Sequence, residues 1–464
     1  MKKLLAGMLL LLCVTGCGRE VLESTTSTTT AGNSTTTTTT AVPSGVLGPA
    51  NLTYLGAFRL PSSVAYPGSG WAWGGTGMAY YASGDPGGPS DGYLGSLYGI
   101  GHDHTKYVAE ISIPVPVISA SKDASALNTA TMLRDFTNVR SGISALDPLF
   151  VDVSQISRTD LAILPALGSQ TTPKLYSCWG VHFQSDASMT PSHSWCDLDL
   201  TNHQGAWWVA ASNEATLYTT NDYLFEIPEN FATTYLGGRR LATGRYRDGG
   251  WGGFGPNLFA IAPWAAGNPP ANGTVLPATT LIRYASNHTE GYLYGQSYKM
   301  NNYLHSDEWS GGAWLTAGSK AAVIFIGTKG TGTAEAWYGF SNGVKYPIED
   351  PPEIPVPTYP PAPYDDRGWW TPSFEAQMIF YNPSDLAAVA QGTKQSYEVQ
   401  PYAILNLDSY LYNINKTAGL PSPLQKQRLG ACTYDSTNQL LYIFEYRGDA
   451  ENDRPLVHVF RVSS

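Results

Sequence analysis

Residues 430–462 read GACTYDSTNQLLYIFEYRGDAENDRPLVHVFRV. Three apolar runs, GACTYD (430–435), LLYIFEY (440–446) and PLVHVFRV (455–462), are parted by short polar turns, the grammar of successive antiparallel strands. The start of the folded region repeats it with GMAYYAS (77–83), SLYGIG (96–101) and KYVAEISIP (106–114). In both groups a Gly-led strand holding Tyr precedes a Leu-Tyr strand and then a β-branched one, a weak internal repeat.

Further strand candidates lie between these ends. They are KLYSCWGVHF (174–183), AWWVAAS (206–212) with DYLFEIP (222–228), and LFAIAPW (258–264) with TLIRYAS (280–286). GAWLTAG (312–318) with AAVIFIG (321–327) and AQMIFYN (376–382) with YAILNLD (402–408) complete the series. The groups number about seven at roughly 60 residues each, longer than a simple propeller blade of about 40–45 residues. The expectation is an all-β, antiparallel β-propeller of about seven blades, six as the lower count, with long loop insertions. YLGAFRLP (54–61) is placed to pair with the C-terminal strands and close the ring. A pair of β-sandwiches or a β-helix is the alternative. Helix is expected only locally, as in NPSDLAAVAQG (382–392), where Pro383 and Ser384 start it and Gly392 stops it. TYPPAPYDDRGWW (358–370) is too proline-rich for a strand and reads as an exposed loop.

Composition agrees. Only 14% of the 464 residues are charged, while glycine (48) and aromatics (12%) are abundant, which suits short strands and many turns better than helices. The formal net charge of −10 argues against a nucleic-acid partner, which would need a basic face.

The N-terminus carries an address. MKKLLAGMLLLLCVTGCGRE has two lysines, then an apolar run over 4–14, too short to span a bilayer comfortably. Val14-Thr15-Gly16-Cys17 resembles the lipobox of bacterial lipoproteins, which implies a signal peptide over 1–16 and a lipid on Cys17. Residues 17–46 include the Thr/Ser-rich stretch STTSTTTAGNSTTTTTTAVPSG (24–45), with too little apolar surface to order itself, so a disordered tether is expected. Residues 47–464 are expected to form a single domain. The expected location is the bacterial cell envelope, at the outer membrane or cell surface.

YLGAFRLP, GSLYGIGHDHTKYVAEISIP (95–114), RDGGWGGFGP (247–256) and PLVHVFRV together resemble a group of secreted bacterial propeller-like proteins. The likeness to propeller-shaped polysaccharide lyases, such as the ulvan lyases, is one of architecture and residue types and implies no catalytic residue.

Candidate chemistry sits in three places. CWGVHFQSDASMTPSHSWC (178–196) offers either a Cys178–Cys196 disulfide, suited to an exported protein, or a structural zinc site from Cys178, His182, His193 and Cys196. GHDH (101–104) ends a strand; if the strand continues, His102 and His104 share a face opposite Asp103, as a metal or acid–base pair. His203 stands just before an apolar strand, whereas His458 inside one reads as packing. GRYRDGGWGGFGP (244–256) follows Arg239 and Arg240 and is either a blade turn or an anion grip. There Arg245 and Arg247 fork toward carboxylate or sulfate, with Trp251 and Phe254 stacking on sugar rings. β-Elimination from an anionic polysaccharide would draw on Arg245 or Arg247, with His102, His104, His203 or Tyr246 as acid or base. Glycoside hydrolysis would need two carboxylates across the bond, and no pair stands out among residues such as Asp307 and Glu308. The G-x-S-x-G matches at Ser90 and Ser341 lack the strand-before, helix-after setting of a nucleophile elbow. The resulting expectation is a lipid-anchored propeller that binds or processes an extracellular carbohydrate. A non-catalytic adhesion or structural envelope protein is the alternative.

Overall fold

The computed structural model describes residues 44–62, 70–85, 93–143, 156–181, 191–209, 219–246, 248–250, 252–284, 298–332, 335–349, 351–352, 354–413, 420–426 and 428–464. The first strand, β1 (Leu52–Arg59), stands apart from those that follow it. Blade 1 is β2 (Met78–Tyr81), β3 (Ser96–Ile100), β4 (Val108–Ser112) and β5 (Met132–Thr137). Blade 2 is β6 (Ile156–Leu164), β7 (Lys174–Val181), β8 (His193–Cys196) and β9 (Gln204–Val209). Blade 3 holds β10 (Tyr223–Glu226), β11 (Leu241–Gly244) and β12 (Leu258–Ile261). The short β13 (Val275–Leu276) then turns back to pair in parallel with β9, and β14 (Thr279–Ile282) finishes blade 3. Blade 4 starts with β15 (Glu308–Ala317) and β16 (Lys320–Thr331) and carries an inserted hairpin of β17 (Trp337–Phe340) and β18 (Arg367–Trp370). It ends with β19 (Ser373–Tyr381) and β20 (Ala403–Asn406). Blade 5 is β21 (Leu429–Asp435), β22 (Leu440–Asp449) and β23 (Arg454–Val462), with β1 as its outer strand.

The blades close into a ring. Each first strand packs on the next, β2 on β6, β6 on β10, β10 on β15, β15 on β21 and β21 back on β2. One apolar cluster fills each of the five seams between neighbouring blades. Both faces of a blade are therefore buried, which is why β22 opens with an unbroken buried run and shows little polar alternation. The all-β propeller is as expected, but it has five blades and not seven. The difference has a physical origin, because the apolar pairs that stand out in the sequence are fragments of blades and not whole blades. GAWLTAG, AAVIFIG, AQMIFYN and YAILNLD all belong to blade 4, while AWWVAAS and DYLFEIP fall in different blades.

Ring closure follows the expected route, with β1 pairing antiparallel to β23 from Leu52↔Val462 to Arg59↔Leu456. A buried relay secures it, in which the Tyr54 hydroxyl meets His458 Nδ1 at 3.0 Å and His458 Nε2 meets Glu445 Oε2 at 2.8 Å. Glu445 also accepts the backbone N–H groups of Tyr412 and Asn413. His458 is thus buried, as expected, and hydrogen-bonded at both ring nitrogens.

The inner strands present free backbone edges to the axis, and side chains satisfy them. The fully buried Asp160 of β6 accepts N–H groups from Met78 (3.0 Å) and Leu161 (2.8 Å) at Oδ1 and from Leu224 (2.9 Å) at Oδ2, tying blades 1, 2 and 3 together. Ser310 Oγ donates between the carbonyls of Leu429 (2.7 Å) and Gly430 (2.9 Å), linking blades 4 and 5. A side chain at Gly430 would meet Gly75 O at 2.1 Å, so the approach of blade 5 to blade 1 admits only glycine.

Two helices are seen among the described residues, α1 (Glu229–Tyr235) and α2 (Pro383–Ala390). The second is the predicted one, capped by the Asn382 side chain on Ser384 N and ended at Gly392 with φ 72°. The proline-rich 358–370 segment is extended loop until Arg367, where its last four residues become β18. Ser341 lies in the turn after β17 with no helix behind it; Ser90 lies outside the described residues.

Candidate functional site at the upper mouth of the channel

The end of the channel where the first strands begin is here termed the upper mouth, and the opposite end the lower. The upper mouth gathers residues from four blades. Arg158, just inside β6, pairs with Glu308, which opens β15, at 3.1 Å with both side chains 15% exposed. Asp103 and Lys106 come from the turn after β3, and Tyr446 from β22. Tyr446 lies within the electrostatic reach of Arg158, Glu308 and Asp103, and Lys106 within that of Asp103, Arg140 and Arg158. Burial raises the Tyr446 phenol above its ordinary value, against the nearby guanidinium of Arg158. Burial likewise pushes the Lys106 ammonium down to about 8.

Lys106 is the anomaly. Its residue is 2% exposed, and among the described residues its ammonium has neither a hydrogen bond nor an acid within salt-bridge distance. Its backbone is left-handed at φ 54°, held by its N–H on His102 O at 2.8 Å. Beside it, the 70–75 segment lies against the end of β3, with His102 N on Gly70 O and Gly75 N on Ile100 O. That segment displays Trp73, 45% exposed and left-handed at φ 60°. The guanidinium of Arg447, left-handed too, sits 4.4 Å from the centre of the Trp73 ring. A bulky residue with positive φ is an outlier, and three together mark a rim held in place by its surroundings.

The GHDH segment is corrected. The strand stops at Ile100, and residues 102–105 form a turn, so Asp103 is not sent to the opposite face. Instead His102 Nδ1 lies 3.0 Å from Asp103 Oδ1, and the two imidazoles meet edge to face at 4.9 Å. Burial lowers the His102 pKa, partly offset by Asp103. One ligand atom from each of His102, Asp103 and His104 falls within 4.8 Å of the others, a spacing a metal ion accepts.

The other expected site residues are dispersed. Arg239 and Arg240 precede β11 at the lower end and Arg245 follows it at the upper, so the arginines do not form one patch. Arg240 is taken by Glu226 and Glu229, and Arg239 donates to Leu236 O at 3.0 Å. Arg245 is 1% exposed and pairs with the buried Asp222 at 3.5 Å. Tyr246 is 2% exposed, and Phe254 packs tilted on Tyr303 and edge-wise on His305. The described residues of 245–257 belong to the connection between β11 and β12. A side chain at Gly249 (φ 70°) would strike Trp369 at 2.3 Å. His203 is held by two carbonyls, Ser141 O and Leu200 O, each 2.9 Å from a ring nitrogen. Arg247, Trp251, His182 and Cys17 lie outside the described residues.

Neither the disulfide nor the zinc site forms. Cys178 stands opposite His193 and Cys196 opposite Leu175, three positions further along the hairpin. At about 3.3 Å per residue that separation exceeds the roughly 7 Å limit for a disulfide, and the odd offset sends the thiols to opposite faces. They lie in separate apolar clusters, and both are free. His193 is unsuited as a ligand, since Ser192 Oγ and Thr243 Oγ1 each occupy a ring nitrogen at 2.9 Å. Burial drives its pKa down to about 3.

A cavity lies at the other end. A chamber of about 480 Å³ opens at the lower mouth, walled by all five inner strands, with Tyr80, Trp314, Tyr434, Glu226, Arg240 and Asp435 among its lining. Several of its polar groups are already engaged. Arg240 holds two glutamates, Asp435 caps the turn at Thr437 and Asn438, and Tyr434 donates to Thr316 O. The unpaired cation and the exposed indole are at the upper mouth, so the chemistry points there and not to the lower chamber. Neither Trp73 nor Lys106 carries a recognisable motif; each follows from a turn geometry that no local pattern announces.

No protein-family model and no curated protein matches the chain. Among solved structures, the Penicillium chrysogenum α-L-arabinanase complexed with arabinobiose is similar at 13% identity and a TM-score of 0.32, over 88% of this chain and 98% of that one. A likeness at that level transfers nothing to this chain, and the propeller stands on its own strand order.

Proposed function

We propose that this protein is an exported, lipid-anchored propeller that binds a carbohydrate at its upper mouth. The observation that carries the reading is Trp73. A 45%-exposed indole in a left-handed turn, with the Arg447 guanidinium against its ring, offers an apolar surface beside a charged group, the combination that a sugar ring requires. The lipobox at Cys17 and the Thr/Ser-rich segment supply the address, a bacterial envelope membrane at or near the cell surface. Val46 and Leu47 join the domain at Ala321, beside the β15–β16 turn on the lower face.

A second reading adds turnover. The carboxylates of Asp103 and Glu308 and the phenol of Tyr446 belong to the same mouth, the groups that hydrolysis or elimination would use. The test is to present acidic and neutral polysaccharides to the chain expressed without its first 17 residues. Retention, reducing ends and the ultraviolet absorbance of unsaturated uronate are then followed together. Retention lost in Trp73→Ala with an unchanged melting temperature supports the site. Reducing ends would add hydrolysis, and absorbance would add elimination. Retention indifferent to Trp73, or none on any glycan, overturns the reading.

A further inference from the structure

We propose that the upper mouth recognises an acidic sugar, with the Lys106 ammonium anchoring the carboxylate of a uronate residue whose ring stacks on Trp73. The inference rests on the carbohydrate reading above and narrows its ligand class. Its ground is an ammonium with no hydrogen-bond partner. Lys106, Arg140 and Arg158 share this neighbourhood with Asp103, Glu308 and the buried Asp160, and Asp160 is taken by three backbone N–H groups. Glu308 is committed to Arg158 at 3.1 Å, and Asp103 contacts His102 at 3.0 Å. Arg140 donates to Thr105 O at 2.8 Å and so braces the turn that carries Lys106. Lys106 alone of the three cations has no partner while being 2% exposed.

A desolvated ammonium with Asp103 near but beyond salt-bridge distance, and with no hydrogen bond of its own, opposes folding, and an anion arriving from outside reduces that cost. A carboxylate suits the space because lysine acts as a point charge and imposes no fork geometry on its partner. Trp73 and Arg447 lie on the blade 5 side, where Trp73 N donates to Asp453 O, and the 70–75 segment that carries the indole is bonded to the Lys106 turn through His102 N on Gly70 O. A neutral sugar would use the indole and leave the ammonium unanswered.

The test compares oligogalacturonate with its fully methyl-esterified form, and alginate oligomers with theirs, by titration calorimetry. Wild type, Lys106→Met and Trp73→Ala are measured, each in the chain lacking its first 17 residues. Wild type should prefer the acidic form by about tenfold or more, the range of one charge-assisted hydrogen bond. Lys106→Met should erase that preference while keeping affinity for the ester, and Trp73→Ala should weaken both forms. The melting temperature of Lys106→Met should be equal to or above that of wild type, because an unpaired buried charge has been removed. Equal binding of acid and ester by wild type, with Trp73 still required, overturns the acidic-sugar inference and leaves the carbohydrate reading intact. Binding of neither form overturns both. A large drop in melting temperature for Lys106→Met overturns the anchor role, since it would show that Lys106 supports the fold itself. A sulfated glycan preferred over the uronates would reassign the anion to sulfate and overturn the carboxylate.

Discussion

Asp160→Asn tests what holds the centre of the ring. The wild-type carboxyl accepts three backbone N–H groups, two at Oδ1 and one at Oδ2, from the inner strands of blades 1, 2 and 3. An asparagine keeps one acceptor oxygen, which serves Met78 and Leu161, but turns its NH₂ toward the N–H of Leu224. That N–H is then buried against another donor, at a cost of about 2–3 kcal/mol. Unfolding entropy near 2.1 cal/mol/K per residue over a domain this size converts the loss to roughly 2–4 °C. Differential scanning calorimetry of the two proteins measures it. The pH dependence sharpens the test. Burial raises the Asp160 pKa well above the ordinary value, against the three backbone donors. Its contribution to wild-type stability is therefore complete below the unfolded value near 4 and declines as pH rises through the folded value. Asparagine does not titrate, so the deficit of the variant should narrow from pH 4 toward pH 8. A deficit that widens would show that the backbone donors outweigh burial. A shift under 1 °C at every pH would refute the clip altogether.

Thiol titration of the chain lacking its first 17 residues should find almost no reactive cysteine in the native state and three after denaturation without reductant. Finding only one would restore the disulfide. Lys329→Met should destabilise by about 3–5 kcal/mol at pH 8, because it strips the buried Asp307 of its 2.8 Å partner. The loss should shrink toward pH 5, since burial already lifts the Asp307 pKa to about 6 and protonation discharges it there. Chemical denaturation at the two pH values reads both quantities, and a pH-independent deficit would contradict the assignment. His458→Leu should cost about 2–4 kcal/mol by leaving Tyr54 and Glu445 without their shared partner, seen as a lower midpoint in urea.

Strand grammar was readable because it is local. LLYIFEY and PLVHVFRV are adjacent in sequence and adjacent in blade 5, and YLGAFRLP completed that sheet as the pattern required. Blade count was not readable, because a blade is defined by which strands share hydrogen bonds. LATG (β11) is too short and ISRTDLAIL (β6) too polar to announce a strand. The same limit governed the site. Arginine clustering over 239–247 suggested a patch, but β11 runs through the middle and sends its ends to opposite mouths. Cys178 and Cys196 looked like a pair by spacing, and a single hairpin register separated them. What sequence spacing cannot carry is the loop geometry that leaves Lys106 unpaired and Trp73 open.

The residues that close the ring and those proposed to recognise sugar are different residues, and this makes the two sets of claims separable. Asp160, Ser310 and the Tyr54–His458–Glu445 relay satisfy buried groups and face no open space. Trp73 is open to solvent, and Lys106 has nothing inside the fold to lose. Asp160→Asn should therefore lower the melting temperature while leaving glycan retention intact at temperatures well below it. Trp73→Ala should do the reverse. If either variant moved both readouts together, recognition and ring closure would share one network through the channel. The upper mouth would then have to be treated as part of the core that Asp160 organises.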